Sequence, residues 1–326
     1  MVSLFAALVT FLLVLNVRVA SESGLNQNKC VKEMDDYKPP PRNDKPKWAI
    51  VSLTKNKPVL SKRNTLLANV IRPYAAGHDI TIIIFSEMKN FAAEVGTWQQ
   101  QFAGIGKVKY VDTSTDGFRD PNGQWKYGYK YMCKFFMLDM YRYLHEYDYY
   151  LRVDSDDFFE KLTYDMFSWV EKNNVEYGWG ARKIEGHGAT RRTLPPWTAK
   201  YAHDCGIWPS ALMDSPLNTC FNFYNNFHVG KVSFFLQPDV MHFLLAVNAS
   251  GHVENHRWGD SSIQAYAVRL FMDPARIRML PDLTFVHKSH NFKKITTFTK
   301  GVETLKLLPQ SLPYWVHESH AGKDWL

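Results

Sequence analysis

The alternation of buried strands with amphipathic helices in the first half of the chain constrains the fold more than any other feature. Three β-branched segments are predicted strands: "WAIVSLT" (48–54), "ITIIIFS" (80–86) and "VKYVDT" (108–113). Helical patterns lie between them, over 61–75 and 91–104. Strands that alternate with helices in this way pack into a parallel sheet covered by helices. The sequence therefore predicts an α/β fold with a mostly parallel central sheet flanked by helices.

The clearest helix pattern covers residues 129–144, where apolar and aromatic side chains recur at steps of three and one. The stretch "YDYYLRVDSDDFF" (147–159) follows it directly as a fourth strand that ends in three aspartates, Asp154, Asp156 and Asp157. Aspartate is a poor strand former and is costly to bury. The position therefore needs an explanation.

Two explanations fit these aspartates. One is an acidic turn that caps the next helix. The other is a site for a divalent cation, since ligands of open α/β sheets bind beyond the carboxyl ends of the strands and Asp-x-Asp supplies hard oxygen ligands. Such a cation would bridge a diphosphate leaving group. The α/β alternation favours the cation site.

Beyond this strand the pattern is less regular. Helices are predicted near 163–172 and over 238–248 and 259–272, and a last strand near 283–287. Residues 180–225 carry scattered Gly, Pro, Trp and Asn, which predicts long loops over a site.

Three polar motifs in this half could carry chemistry. "NFYNNFHVG" (222–230) mixes amides with aromatics, which suits sugar recognition, although a turn beside a core strand explains it equally well. In "HRWGD" (256–260), Asp260 could simply cap the following helix, but that role does not explain Arg257 and Trp258. "FVHKSH" (285–290) places two histidines near a strand end, where a ligand role is plausible.

The first twenty residues predict entry into the secretory pathway. The apolar run "LFAALVTFLLVL" (4–15) is short for a membrane span and fits a signal peptide or a short signal anchor over residues 1–20. Residues 21–46 contain "KPPPRNDKPK" and are a predicted stalk or linker. The main folded domain is predicted over 47–326. Asn248 begins a glycosylation sequon.

Four cysteines in an oxidising lumen allow two disulfides in three connectivities. They are Cys30, Cys133, Cys205 and Cys220, and the short spacing makes Cys205–Cys220 the predicted local pair.

The net charge of +7 and the pI near 9.0 raise the question of nucleic-acid binding. The basic residues are scattered, with only short runs such as Arg191–Arg192 and Lys293–Lys294. A solvated basic surface explains the charge, so we expect no nucleic-acid partner. A modest preference for small phosphate-bearing molecules is compatible with it.

Taken together, the motifs resemble glycosyltransferase family 15, the α-1,2-mannosyltransferases best known from the fungal Golgi. The resemblance runs from about Trp48 to His290 and depends on ordered motifs: "LTKN" (53–56), "YKYMCKF" (129–135), "YDYYLRVDSD" (147–156), "NFYNNFHV" (222–229) and "RWGD" (257–260), with His287 27 residues beyond Asp260. The family implies a GT-A-like fold, a GDP-mannose donor, Mn²⁺, retention of configuration and a lumenal domain on an N-terminal anchor.

Carried over by position, the resemblance assigns roles to individual residues. Tyr129 would lie in the donor site, and Asp154 would stand where the family has the Glu of a Glu-Pro-Asp motif near the metal and the diphosphate. Asp154, Asp156 and His287 would hold Mn²⁺, while Asp260 would orient or deprotonate the acceptor hydroxyl. The substrate would further contact Lys55, Lys134, Asn226, Arg257 and Trp258.

The chain departs from the family pattern in three places. Glu-Pro-Asp is replaced by Asp154-Ser155-Asp156, and two arginines are replaced by Lys130 and Lys134. His228 stands at the catalytic position of a Glu that is proposed as nucleophile, and histidine cannot simply replace a carboxylate there. Two alternatives therefore stay open: a transferase for another nucleotide sugar, or a secreted carbohydrate-binding protein without turnover on the same scaffold.

Overall fold

The computed structural model describes residues 28–31, 37–39, 45–54, 59–86, 95–113, 127–154, 157–209, 218–287 and 292–296. Within these residues the strands are β1 (Lys47–Leu53), β2 (Asp79–Ser86), β3 (Lys107–Asp112), β4 (Tyr149–Val153), β5 (Asp157–Leu162), β6 (Tyr177–Trp179), β7 (Arg182–Ile184), β8 (Phe221–Phe223), β9 (Phe227–Lys231), β10 (Ile277–Met279), β11 (Leu283–His287) and β12 (Phe292–Thr296).

The helices are α1 (Val59–Ala75), α2 (Val95–Gln101), α3 (Tyr127–Met137), α4 (Met166–Lys172), α5 (Gly188–Cys205), α6 (Val232–Phe235), α7 (Pro238–Ala249), α8 (His252–Asn255) and α9 (Asp260–Phe271), with 3-10 turns at Asp139–Tyr143 and Pro274–Arg276. None of the helices in this part of the chain combines the length and the apolar character that a membrane span requires.

Seven strands form the central sheet in the order β10-β6-β9-β4-β1-β2-β3. All neighbours pair in parallel except β9, which runs antiparallel to both β4 and β6. A second sheet joins β12, β11 and β5, and β7 pairs with β8 as a short ribbon. The prediction of an α/β fold with a mostly parallel sheet is confirmed.

The period-two alternation of the strands divides the core into two apolar clusters, one on each face of the central sheet. In β1, Ala49 and Val51 face the cluster that contains α3, α7 and α9, whereas Trp48 and Ile50 face the cluster with α1 and α4. Strands β1, β2 and β4 are buried on both faces along most of their length, which explains why they read as largely apolar runs.

Two sequence-based expectations are wrong. The segment predicted as loops contains the 18-residue helix α5, which was missed because Pro195 and Pro196 lie inside it and usually mark helix breaks. The predicted Cys205–Cys220 disulfide does not form. Cys205 bonds instead to Cys30, 175 residues earlier, and Cys133 and Cys220 are buried thiols.

That disulfide attaches part of the predicted stalk to the domain. Asn28 is buried, and the Lys29 amide donates to the carbonyl of Cys205 at 2.9 Å. Further along, the Tyr37 hydroxyl donates to the carbonyl of His145 at 3.0 Å. These contacts show that at least these residues pack against the domain. The targeting segment predicted over residues 1–20 lies outside the described residues.

Candidate active site

The candidate site is organised by Arg152, a charged side chain that strand β4 carries into the core. Its side chain is 1 % exposed. It lies on the same strand face as Tyr150, and its guanidinium sits 3.5 Å from the centre of the Phe136 ring of α3. A buried guanidinium needs anionic partners.

Two carboxylates supply that pairing. Arg152 Nε donates to Asp154 Oδ1 at 2.8 Å and Nη2 to Asp154 Oδ2 at 3.3 Å, while Nη1 donates to Asp260 Oδ2. Burial alone would lower the pKa of Arg152, but the two carboxylates outweigh it and raise the pKa. Arg152 thus joins the carboxyl end of β4 to the first residue of α9.

Asp260 is only 4 % exposed, and its carboxylate accepts a hydrogen bond from an amide in addition to the one from Arg152. Asn225 Nδ2 donates to Asp260 Oδ2 at 2.8 Å and lies 2.9 Å from Gln264 Oε1. On its other side, Asp260 lies beside the Cys133 thiol, whose pKa is raised by burial and by the Asp260 charge. The carboxylate is therefore held by a guanidinium and an amide.

His228 belongs to a closed ring of hydrogen bonds below this carboxylate. Its Nδ1 lies 2.8 Å from the carbonyl oxygen of Asn225, and its Nε2 lies 3.0 Å from the Tyr150 hydroxyl. Tyr150 lies 3.4 Å from the Tyr141 hydroxyl, which accepts from Gln264 Nε2 at 3.1 Å. Gln264 Oε1 accepts from Asn225 Nδ2, and this bond closes the ring of five residues.

The burial of His228 argues against direct contact with a substrate. The residue is 0 % exposed, and burial together with the charge of Arg152 lowers the pKa of His228 to about 3. Gly230 makes room for this arrangement, because a Cβ there would collide with the Tyr150 ring. His228 has no exposed atom, so it cannot perform the predicted catalytic role by direct contact with a substrate.

A second polar cluster lies where β5 and β11 pair. Their register sets Asp157 opposite His287, and His287 Nδ1 donates to Asp157 Oδ1 at 2.8 Å. Asn226 Nδ2 donates to the same oxygen at 2.6 Å. The Asp154 amide donates to Asp157 Oδ2 at 3.2 Å, which brings this cluster next to the Arg152 pair.

Burial disfavours the charged form of the carboxylates in and beside this cluster. Burial raises the pKa of Asp157 to about 7, partly offset by its hydrogen bond from His287. Burial also raises the pKa of Asp154 despite the neighbouring Arg152. Asn226 Oδ1 is buried, and it has no hydrogen-bond partner among the described residues. A cation would satisfy these groups.

The residue types fit a divalent cation such as Mn²⁺. Carboxylate oxygens and an imidazole nitrogen are suitable ligands, and a metal-binding histidine usually donates its other ring N–H to a carboxylate, as His287 does to Asp157. In the described part of the chain, however, no three His, Cys, Asp or Glu side chains are already arranged as a metal site. Asp156, predicted as a ligand, lies outside the described residues, as does Lys55.

The structure places the remaining predicted residues as follows. The guanidinium of Arg257 lies 4.4 Å from the centre of the Tyr129 ring, and Tyr129 adjoins Gly259 at the start of α9. The Cys133 thiol and burial raise the pKa of Tyr129. Lys134 forms an ion pair with Asp139 at 3.5 Å. Tyr129 and Arg257 therefore lie together near Asp260.

The prediction of a substrate contact for Trp258 is not supported. Its side chain is 0 % exposed, its Nε1 donates to Thr193 Oγ1 at 2.7 Å, and it packs against Trp197. Trp258 is part of the core that holds the loop before α9, because its large apolar ring is more stable buried than exposed to a substrate channel.

Sequence reasoning missed three contributors to the site. Arg152 carried the clearest signal, because a charged residue in an otherwise apolar strand must find a partner. Asn225 and Gln264 gave no comparable signal. Their importance comes from contacts to Asp260 and Tyr141 that are distant in sequence.

The comparisons agree with this architecture. Solved structures with the same fold include core-mannan synthase A from Aspergillus fumigatus in its Mn/GDP form, with a TM-score of 0.64 and 19 % identity over 82 % of this chain and 83 % of that one. A mannosyltransferase from Saccharomyces cerevisiae in complex with GDP gives a TM-score of 0.63 and 17 % identity over 87 % and 82 %. The chain therefore has the GT-A-like fold of nucleotide-sugar transferases, as predicted.

A family model described as glycolipid 2-alpha-mannosyltransferase matches residues 121–296, more than half of the chain. The chain belongs to this family, which confirms the resemblance inferred from its motifs. Curated relatives include the O-glycoside alpha-1,2-mannosyltransferase omh1 of Schizosaccharomyces pombe, 29 % identical over 50 % of this chain and 44 % of the relative. Glycolipid 2-alpha-mannosyltransferase 1 of Candida albicans is 26 % identical over 49 % and 39 %. The match spans less than half the length of these relatives.

Proposed function

We propose that the chain is a metal-dependent, retaining glycosyltransferase that transfers mannose from GDP-mannose to a glycan or glycoprotein acceptor in the secretory pathway, with the Golgi lumen as its compartment. The observation that carries the proposal is the convergence of Asp154, Asp157 and His287 with the Arg152–Asp260 pair at the carboxyl end of β4. Relatives whose names describe mannosyltransferases, and a related structure with Mn and GDP, support the donor and the metal.

The metal would be held where Asp154 adjoins the second polar cluster of Asp157, His287 and Asn226. Asp154 and His287 offer a carboxylate oxygen and an imidazole nitrogen, and Asp157 orients the His287 ring through its hydrogen bond. A bound Mn²⁺ would supply positive charge to the diphosphate leaving group. Asp156 is a further proposed ligand.

Asp260 is proposed to act on the acceptor. Its carboxylate is held by Arg152 and Asn225, so its orientation does not depend on solvent. A fixed carboxylate can accept a hydrogen bond from the attacking hydroxyl and align it with the sugar. Tyr129 and Arg257 border the same space, where Arg257 adds positive charge next to the leaving group.

The second candidate is a carbohydrate-binding protein without turnover. The observation that favours it is His228, which stands at the position of a family carboxylate and is buried and neutral. A third reading, a transferase for a different nucleotide sugar, keeps the same site and changes only the donor.

A donor panel separates these three functions. The purified chain is incubated with GDP-mannose, GDP-fucose and UDP-sugars, together with mannoside acceptors, in Mn²⁺ or in EDTA, and nucleoside diphosphate release is measured. We expect Mn²⁺-dependent GDP release from GDP-mannose. Release from another donor would change the substrate but keep the class. Glycan binding with no release from any donor would identify the binding protein.

A further inference from the structure

The hydrogen-bond ring below Asp260 has a fixed direction. The carbonyl oxygen of Asn225 can only accept, so His228 Nδ1 must carry the proton in this 2.8 Å bond. His228 Nε2 is then an acceptor, and the Tyr150 hydroxyl donates a hydrogen bond to it at 3.0 Å. Tyr150 in turn accepts from Tyr141, and Tyr141 accepts from Gln264. Each of these bonds therefore has one direction, and reversing one bond would disrupt the next.

The ring includes Asn225, whose side-chain amide also holds the candidate catalytic carboxylate of Asp260. Asn225 Nδ2 donates both to Gln264 Oε1 and to Asp260 Oδ2. Its backbone carbonyl is the group that His228 holds. His228 therefore anchors the backbone and Gln264 anchors the side chain of Asn225, the residue whose amide bonds directly to the Asp260 carboxylate.

The surroundings of His228 favour the neutral ring. Tyr177 stacks on it with ring centres 5.2 Å apart, and Tyr150 meets it edge-on at 5.3 Å. The charged groups near it are Arg152 and Asp260, and Arg152 is the group that disfavours an imidazolium. With no exposed surface, the ring has no route to a sugar.

We propose that His228 is a positioning residue, which as a neutral Nδ1–H tautomer fixes Asn225 and thereby the orientation of Asp260 toward the acceptor. The role rests on the proposed function, because Asp260 acts on the acceptor only if the chain is a transferase. His228 itself forms no bond to the sugar. The residue thus replaces a carboxylate of the family with a side chain that acts through its neighbours.

The tautomer is tested by NMR on the full chain labelled with ¹⁵N-histidine. Long-range ¹H–¹⁵N correlations distinguish the two neutral tautomers and the imidazolium, and the His228→Asn variant assigns the signal. We expect a neutral Nδ1–H pattern at pH 7.5 that persists at pH 5.5. In Tyr150→Phe the Nε2 signal should shift because its donor is lost. An Nε2–H tautomer or an imidazolium at pH 7.5 would overturn the proposal.

The positioning role is tested by kinetics with GDP-mannose and methyl α-mannopyranoside. Tyr150→Phe removes one hydroxyl from the ring, and we expect kcat to fall at least about tenfold while the KM for GDP-mannose stays within about twofold. Tyr177→Phe is the matched control. It also removes a hydroxyl beside His228, but that hydroxyl has no partner among the described residues, so kcat should be unchanged.

Substitutions at His228 sharpen the test. The Asn side chain of His228→Asn can still donate to the Asn225 carbonyl, so we expect it to retain more of kcat than His228→Phe, by about tenfold. Equal kcat in Tyr150→Phe and Tyr177→Phe, or wild-type kcat in a folded His228→Phe, would overturn the role. If the wild type releases no GDP from GDP-mannose, the proposed function fails and the positioning role fails with it. The NMR result would still show whether His228 is the neutral Nδ1–H tautomer that the hydrogen-bond ring requires.

Discussion

The two polar clusters of the site differ in how their buried charges are compensated. In the first, Arg152 bonds to both Asp154 and Asp260, and Asn225 completes the set, so that the protein supplies every partner that the arginine needs. In the second, the partners of the Asp157 carboxylate among the described residues are a neutral amide, a backbone N–H and a histidine, and the pKa of Asp157 is raised to about 7.

This difference separates structural from ligand-dependent electrostatics. A buried ion pair whose partners are all internal contributes to a unique folded state, and breaking it is costly. A cluster with surplus negative charge has a high energy until a cation arrives. The first cluster is therefore expected to carry most of the stability and to orient Asp154 and Asp260, and the second is expected to respond most strongly to a bound cation. Three measurements test this contrast.

The largest expected effect is the loss of stability when Arg152 is removed. Arg152→Met keeps the apolar stem but leaves Asp154 and Asp260 buried without their cation, and such losses cost about 3–5 kcal/mol. Urea unfolding at pH 7.5 measures the free energy of unfolding. A double variant, Arg152→Met with Asp260→Asn, should recover part of the loss because one uncompensated charge is gone.

Arg278→Met is the control for this experiment. Arg278 is partly buried and bonds to the carbonyls of Pro274 and Ile277, so its removal should cost about 1 kcal/mol or less. If Arg152→Met is no more destabilising than Arg278→Met, the first cluster does not carry stability and the contrast between the two clusters breaks down.

An intermediate effect is expected in the pH dependence of stability, through His228. The folded pKa of His228 is lowered to about 3, against an ordinary value near 6.5, so its neutral form is stabilising above pH 6.5. As the pH falls from 6.5 toward 3 the unfolded chain binds a proton that the folded chain does not, and stability falls by about 1.4 kcal/mol per pH unit.

The variant His228→Gln tests this contribution. It should lose about 1–3 kcal/mol at pH 7.5 through its broken hydrogen bonds, but its stability should fall less steeply between pH 6.5 and 4.5 than that of the wild type. Urea unfolding across this pH range gives both quantities. An unchanged slope in His228→Gln would place the titrating group elsewhere.

The sequence was sufficient for elements whose signal is local. Strands β1, β2 and β4 are buried on both faces and read as continuous apolar runs, and α3 has a clear apolar stripe. The aspartates after β4 also predicted a cation site at this edge of the sheet, because ligands of open α/β sheets bind beyond the carboxyl ends of the strands.

The sequence was insufficient where the determinants are distant or contrary to local preference. Helix α5 continues through Pro195 and Pro196, since tertiary packing can outweigh the loss of a backbone donor. The Cys30–Cys205 disulfide depends on a contact 175 residues apart. The role of Asp157 depends on the pairing of β5 with β11, which sets it opposite His287.

The smallest effect on stability is expected for Asp157→Asn in the absence of metal. The substitution removes a carboxylate whose charge is penalised by burial, at the cost of one hydrogen bond from the Asp154 amide, so the net change should be about 1 kcal/mol or less. The effect on metal binding should be larger, because an amide oxygen polarises the His287 ring less than a carboxylate does, and weakening such a partner lowers metal affinity by up to about 10- to 100-fold.

Thermal unfolding with GDP, in Mn²⁺ or in EDTA, measures both parts of this prediction. Saturating Mn²⁺ should raise the wild-type Tm by about 5–10 °C, since a ligand at about 100 times its Kd adds about 2.7 kcal/mol. In Asp157→Asn the rise at the same Mn²⁺ concentration should be smaller, while Tm in EDTA stays close to that of the wild type. The exposed Asp204→Asn should respond to Mn²⁺ like the wild type. If Asp157→Asn instead lowers Tm in EDTA by as much as Arg152→Met does, the second cluster is held together by its own contacts, and its surplus charge is not what a cation would relieve.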